Sequence, residues 1–295
     1  MVGLIWLDAR KGGIKTLVWT DSFQTLCMFV ALILIIYNVI TSLNMNVGEA
    51  VSAVASNVHS RVFVFDDFIS RQNFWKQFLS GIFVVIVMTG LDQDMMQKNL
   101  TCKSLRDAQK DMCSYGLAFL PANFLFLSLG ILLMMLANKQ GIPLPAMTDN
   151  LLPMFAASGN LGTVVVILFT IGIVAASFSS ADSAMTALTT SWCVDIMERD
   201  KDERLRKITH VVFALLFVAF ILVFKVINST SVIDAIYIIC SYTYGPLLGL
   251  FAFGLLTKRK TNDRMVPYIA IISPIICFAI DTITQHTTGY KFGYE

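Results

Sequence analysis

Long stretches without a charged residue recur along this chain and set its architecture. A helix needs about 20 mostly apolar residues to cross the hydrocarbon core of a bilayer. Seven segments read as spans: 16–40, 78–98, 113–137, 160–190, 207–226, 234–257 and 265–283. The second is apolar only from 78 to 91 and is interrupted by Gly90, then Asp92-Gln93-Asp94. The fourth ends a run from 150 to 181 that carries no charge, and it continues as a polar helix toward Asp195. The segment 41–77 is long and mixed, and reads as an extracytoplasmic loop holding short surface helices. The stretch 138–160 contains Pro143, Pro145 and Pro153 and reads as a turn-rich cap. The pattern predicts an all-α polytopic membrane protein, with residues 1–295 forming a single transmembrane domain.

Composition agrees. Hydrophobic residues make up 56% of the chain and charged residues 14%, with mean hydropathy +0.70, whereas a soluble domain carries about a quarter charged residues. The basic residues alternate in side. Sixteen of the 22 lie in four segments: Arg10 to Lys15, Lys98 to Lys110, Arg199 to Lys207 and Lys258 to Arg264. Cytoplasmic loops attract Lys and Arg, so these segments face the cytoplasm, residue 1 lies inside and residue 295 outside. An odd number of crossings agrees with that.

Enzyme chemistry finds little support. Six cysteines are scattered without a CxxC pair or zinc-like spacing, and the three histidines stand far apart. There is no HExxH, Walker-type loop, GxGxxG or GxSxG. The expectation is a non-enzyme without a cofactor, embedded in the cell (plasma or inner) membrane as a multi-pass protein. Its expected surroundings are the lipid bilayer, and no nucleic-acid partner is expected.

Polar groups inside the apolar spans need a reason, because a carboxylate at a helix centre costs about 2.5–3.5 kcal/mol on insertion scales. Asp21 lies roughly 8 Å into the first span at the rise of an α-helix. It reads equally well as an interfacial acid favoured by the helix dipole or as a functional group. In the fourth span, Ala176, Ser179, Ser180 and Ser183 fall on one helical face with Asp182 flanking it. Hydroxyls, carboxylates and carbonyls are hard oxygen donors suited to alkali and alkaline-earth cations. Helix-to-helix packing accounts for the serines; Asp182 favours an ion site. The short second span reads either as an ordinary helix end or as a discontinuous helix at a transport site.

In order along the chain, three stretches carry a resemblance. They are Gly12-Gly13 leading into Trp19-Thr20-Asp21 and Gln24; Gly90-Leu91-Asp92-Gln93 with Gln97-Lys98 and Ala108-Gln109-Lys110; and Ser179-Ser180 with Val194-Asp195. Together, from residue 11 to about 196, they resemble the sodium:solute symporter family, in a bacterial member. The resemblance implies a partial LeuT-like inverted-repeat fold. The first span would be the fifth core helix, the second the broken sixth and the fourth the eighth. Val2 to Trp6 reads as the tail of an earlier helix and the last residues as a loop, so the chain reads as a piece truncated at both ends. By itself it is expected not to transport.

Carried over by resemblance, a common sodium site uses the Ala176 carbonyl with the Ser179 and Ser180 hydroxyls. A second sodium site, as in bacterial sialic acid carriers, joins Asp21 to Ser179, Asp182 and Ser183. Asp182 stands where those carriers have serine. The positions at which sugar-transporting members place Asn, Tyr and Trp are Val85, Met88 and Thr89 here, so a galactose-type site is not expected. Asp8-Ala9 replaces the family's Tyr-Thr pair. The implied activity is secondary active transport: sodium-coupled symport of a small organic solute by alternating access, with sodium ions as coupling ions. A proton-coupled carrier, in which Asp21 or Asp182 takes the proton, and a symporter-like sensory membrane module are the alternatives.

Overall fold

A computed structural model describes residues 14–67, 70, 72–199, 201–227, 232–260, 262, 264–290 and 292; in the first helix, side chains are described from Asp21 onward. The Gly12-Gly13 turn, Asp8-Ala9, Arg10, Lys11, Arg71, Lys291 and both chain ends lie outside the described residues. The described residues form helices and no strand. These are α1 (Ile14–Leu43), α2 (Val47–Ala55), α3 (Phe74–Gly90), α4 (Gln93–Leu100), α5 (Leu105–Gln140), α6 (Leu151–Ala157), α7 (Thr163–Thr190), α8 (Glu203–Ile227), α9 (Val232–Leu256) and α10 (Val266–Thr288). Six of the helices are long and apolar enough to cross a membrane, and the bent pair α3–α4 makes a seventh if counted as one span. Only helices satisfy their own backbone groups segment by segment in lipid. Much of their apolar surface faces outward, as in Phe23, Ile33, Leu215 and Ile271. The protein is an all-α, multi-pass membrane protein.

The chain divides into two compact units. One comprises Met1–Ser60 with Gln97–Asn228, the other Arg61–Met96 with Ser229–Glu295. In the first unit, α1 packs against α7 and α5, and α6 fits beside α5 and α7. Its core draws Leu32, Ile35 and Val39 from α1, Leu129, Leu133 and Leu136 from α5, Phe155 from α6, and Val165 and Phe169 from α7. Except for Phe155, these lie in the C-terminal parts of α1 and α5 or the N-terminal part of α7, so this core sits at one end of the unit, while a smaller apolar cluster forms around Met185 and Ala214 further along α7. At the packed end the Lys139 ammonium donates to the Ser42 and Leu43 carbonyls at 3.1 and 2.8 Å, two of the last-turn carbonyls that a helix leaves without an intrahelical donor. The loop after it carries α2, whose Asn46 and Glu49 form a reciprocal capping box.

Gly172 sets the spacing of α1 and α7. A Cβ added there would stand 2.6 Å from Met28 Sδ, so the helices approach as closely as they do because no side chain intervenes. Gly172→Ala needs only a new rotamer of the flexible Met28 thioether. Gly172→Leu overpacks the seam and is expected to destabilise the purified protein by about 1–3 kcal/mol, with alanine well below that. Thermal unfolding in detergent compares the two, and equal melting of all three proteins would show that the seam does not depend on this glycine.

In the second unit α9 packs on α10, and α3 on α9. The Tyr242 hydroxyl of α9 donates to Asp281 of α10 at 3.1 Å, and the other Asp281 oxygen accepts from the Phe292 amide at 3.1 Å. Phe63, Phe65, Phe74, Trp75 and Phe78 stack around the start of α3. Helix α3 stops at Gly90, and α4 leaves at 54° after a two-residue break. Asp92 explains the break better than Gly90 does. Its carboxylate accepts the Met95 amide at 3.1 Å, a cap for a new helix that a continuous helix has no use for.

Candidate functional site

Helices α1 and α7 run antiparallel, and their contacts hold one register. Asp21 meets Ser179, Met28 meets Gly172, and Asn38 donates to the Leu161 carbonyl at 2.9 Å. In that register Gln24 falls opposite Ala176. At about 100° per residue, Val165, Phe169, Gly172, Ala176, Ser179 and Ser183 form the stripe of α7 that faces α1. The stripe facing α8 is different. Met185 packs with Ala214 there, beside Phe178, Ala181 and Phe217, and Thr189 Oγ1 lies 3.2 Å from His210 Nδ1. Asp182 falls between the two stripes, which accounts for its burial at 3% exposure.

The Ser179 hydroxyl donates to Asp21 Oδ1, joining residues 158 positions apart. Asp21 Oδ2 faces the Lys98 ammonium of α4 at 3.9 Å. One turn along α7, Ser183 is buried at 6% exposure, and its Oγ has no hydrogen-bond partner among the described residues. The same holds for Gln24 Oε1, one turn along α1 from Asp21. Buried oxygens left without a donor are costly, and hard oxygens of these kinds suit an alkali cation. Ser179 keeps its lone pairs while it donates, and the residues present therefore fit a sodium ion. No group of three or more His, Cys, Asp or Glu residues suited to a metal occurs among the described residues.

The remaining sequence-predicted residues are placed less centrally. Ala176 is half-buried on the α1-facing stripe, whereas Ser180 is exposed on its outer flank. Val85 and Met88 of α3 are exposed, and the Thr89 hydroxyl is bonded back to the Val85 carbonyl of its own helix. Sequence reasoning does not single out Lys98, Gln24 or His210 as site residues. The first two stand inside the stretches that carry the family resemblance. The third gives no sequence signal beyond being a histidine in an apolar span.

No protein-family model and no solved structure matches the chain. Curated proteins do. It is 23% identical over 282 residues to the sodium/sialic acid symporter NanT of Aliivibrio fischeri, covering 90% of this chain and 54% of that protein. It is 26% identical over 264 residues to the sodium-dependent multivitamin transporter of Oryctolagus cuniculus, covering 83% and 40%. Over 101 residues it is 33% identical to the sodium-coupled monocarboxylate transporter 2 of Homo sapiens, covering 33% and 16%. The chain spans about half the length of the first curated relatives it matches. These relatives are named for different solutes but share one coupling ion, and two of them run along most of this chain; what the chain is similar to is a set of sodium-coupled solute transporters.

Proposed function

We propose that the protein containing this chain is a secondary active transporter in the plasma membrane that couples sodium entry to uptake of a small organic solute. One observation carries the reading: a carboxylate in an apolar span, Asp21, is bonded to a hydroxyl of α7, Ser179, beside two buried oxygens that have no donor among the described residues. A sodium ion at the Asp21–Ser179 pair meets oxygens of the kind it takes, with Ser183 one turn along α7 as a further one. Asp21, Ser179, Ser183 and Asp182 form one proposed ion site, and the Ala176 carbonyl with Ser179 and Ser180 a second. In the first, the ion holds α1 and α7 together, and its release to the cytoplasm loosens that seam; the residues named for the second all lie on α7. Such a seam suits alternating access in a LeuT-like inverted repeat.

The solute site is proposed on α3 at Val85, Met88 and Thr89. With the Thr89 hydroxyl donating to its own backbone, this trio offers a sugar one acceptor and no donor. It suits the apolar part of a solute whose polar end is bound elsewhere. Two relatives are named for carboxylic acids, sialic acid and monocarboxylates, and an organic anion is the proposed substrate class.

Proteoliposomes containing the full protein test the proposal with labelled monocarboxylates and sialic acid. Uptake is expected under an inward sodium gradient and not when potassium replaces sodium. Uptake that follows a pH gradient and ignores sodium would replace sodium coupling by proton coupling.

A further inference from the structure

We infer that Lys98 is a tethered competitor of the transported cation: its ammonium occupies Asp21 when no ion is bound and is displaced when one enters. The inference rests on the proposed ion site at Asp21. Asp21 offers two carboxylate oxygens, and the structure commits both. Oδ1 accepts from Ser179, and Oδ2 faces Lys98 Nζ at 3.9 Å. That distance is an ion pair but too long for a hydrogen bond, so the ammonium neutralises the carboxylate without being locked to it. Both side chains are about one-third exposed, which leaves the lysine stem room to swing away.

A sodium ion and an ammonium carry the same charge and repel each other when both sit against one carboxylate. Ligand entry at Asp21 therefore expels Lys98. Lysine suits this exchange better than arginine does. It is a flexible point charge, whereas a guanidinium grips a carboxylate through two parallel bonds. Lys98 belongs to α4, the short helix that begins just past the break at Leu91–Asp92. Expulsion of its side chain releases the last turn of α4 from α1, so the ion's arrival is transmitted to the helix that follows the break.

The competition predicts an order that a structural role does not. Removing the charge should tighten sodium binding, and strengthening the pair should weaken it. Equilibrium binding of radioactive sodium to the purified full-length protein, without any transport step, reads this directly. Lys98→Gln is expected to lower the dissociation constant about fivefold, the scale of a partly exposed ion pair. Lys98→Arg is expected to raise it above wild type. Lys98→Met, which keeps the apolar stem, should act as Lys98→Gln does and serves if that variant is not recovered. In an Asp21→Asn background the same lysine substitutions should have no effect, because the oxygen in contention has lost its charge. If Lys98→Gln binds sodium more weakly while Lys98→Arg matches wild type, the lysine is a structural prop and the inference is wrong. Equal constants in all variants overturn it as well. A wild-type protein that binds no sodium overturns the ion site itself, and the inference with it.

Discussion

Asp21→Asn is expected to raise the sodium concentration that gives half-maximal uptake by about 10- to 100-fold. Interactions with a charged group contribute about 1.5–3 kcal/mol, and each 1.4 kcal/mol is a factor of ten. Asparagine keeps the size and one oxygen but removes the charge that Ser179 and Lys98 now address. Ser179→Ala removes a neutral donor from the same oxygen and is expected to cost about fivefold. The ranking matters as much as the size. Uptake by reconstituted full-length protein, measured against sodium at fixed pH, checks both variants. A wild-type sodium curve for Asp21→Asn would make the acid a structural group at the start of a span and remove it from the ion site.

The second large effect is expected at Asp182, through stability and not uptake. A ligand that binds only the folded state at a hundred times its dissociation constant stabilises by about 2.7 kcal/mol. Replacing choline by sodium should therefore raise the unfolding temperature of the wild-type protein. Asp182 is 3% exposed on α7 beside Ser183, whose Oγ lacks a hydrogen-bond partner among the described residues. If the ion neutralises this carboxylate, Asp182→Asn should bind sodium at least tenfold more weakly and lose about half of that stabilisation. Asp182→Ser should keep a measurable sodium response, because a hydroxyl is still a hard oxygen. Asp182→Asn with the full sodium-induced rise would separate the acid from the ion and leave it as a group joining α7 to its neighbours.

The spans are legible in the sequence because the bilayer enforces a length and a composition that few other settings do. For the same reason Asp21 and Asp182 stand out in the sequence, each being a charge inside an apolar run. Their neighbourhoods are not legible there. Helical periodicity tells which residues of 176–183 share a face, but it does not say which helix that face meets. Packing decides it: the face with Gly172 and Ser179 turns to α1, the face with Met185 and Thr189 turns to α8. That rotation buries Asp182 and Ser183 and leaves Ser180 exposed, a distinction that the order Ser179-Ser180-Ala181-Asp182-Ser183 does not carry.

Charge statistics hide Lys98 in the same way. In sequence it is one member of a basic segment that reads as a cytoplasmic loop; in the fold it is the cation beside Asp21. The break after α3 is visible in sequence, where glycine is its evident cause, whereas in the fold a side-chain bond from Asp92 starts the next helix. By itself the sequence determined that the chain is built of long apolar helices and which kinds of oxygen are available to a cation. Those follow from local composition and from the solvent around the chain. The tertiary structure alone decided which oxygens meet, because residues 158 positions apart come together only when two helices choose a register. The close approach at Gly172 and the apolar core at the other end of the same pair set that register.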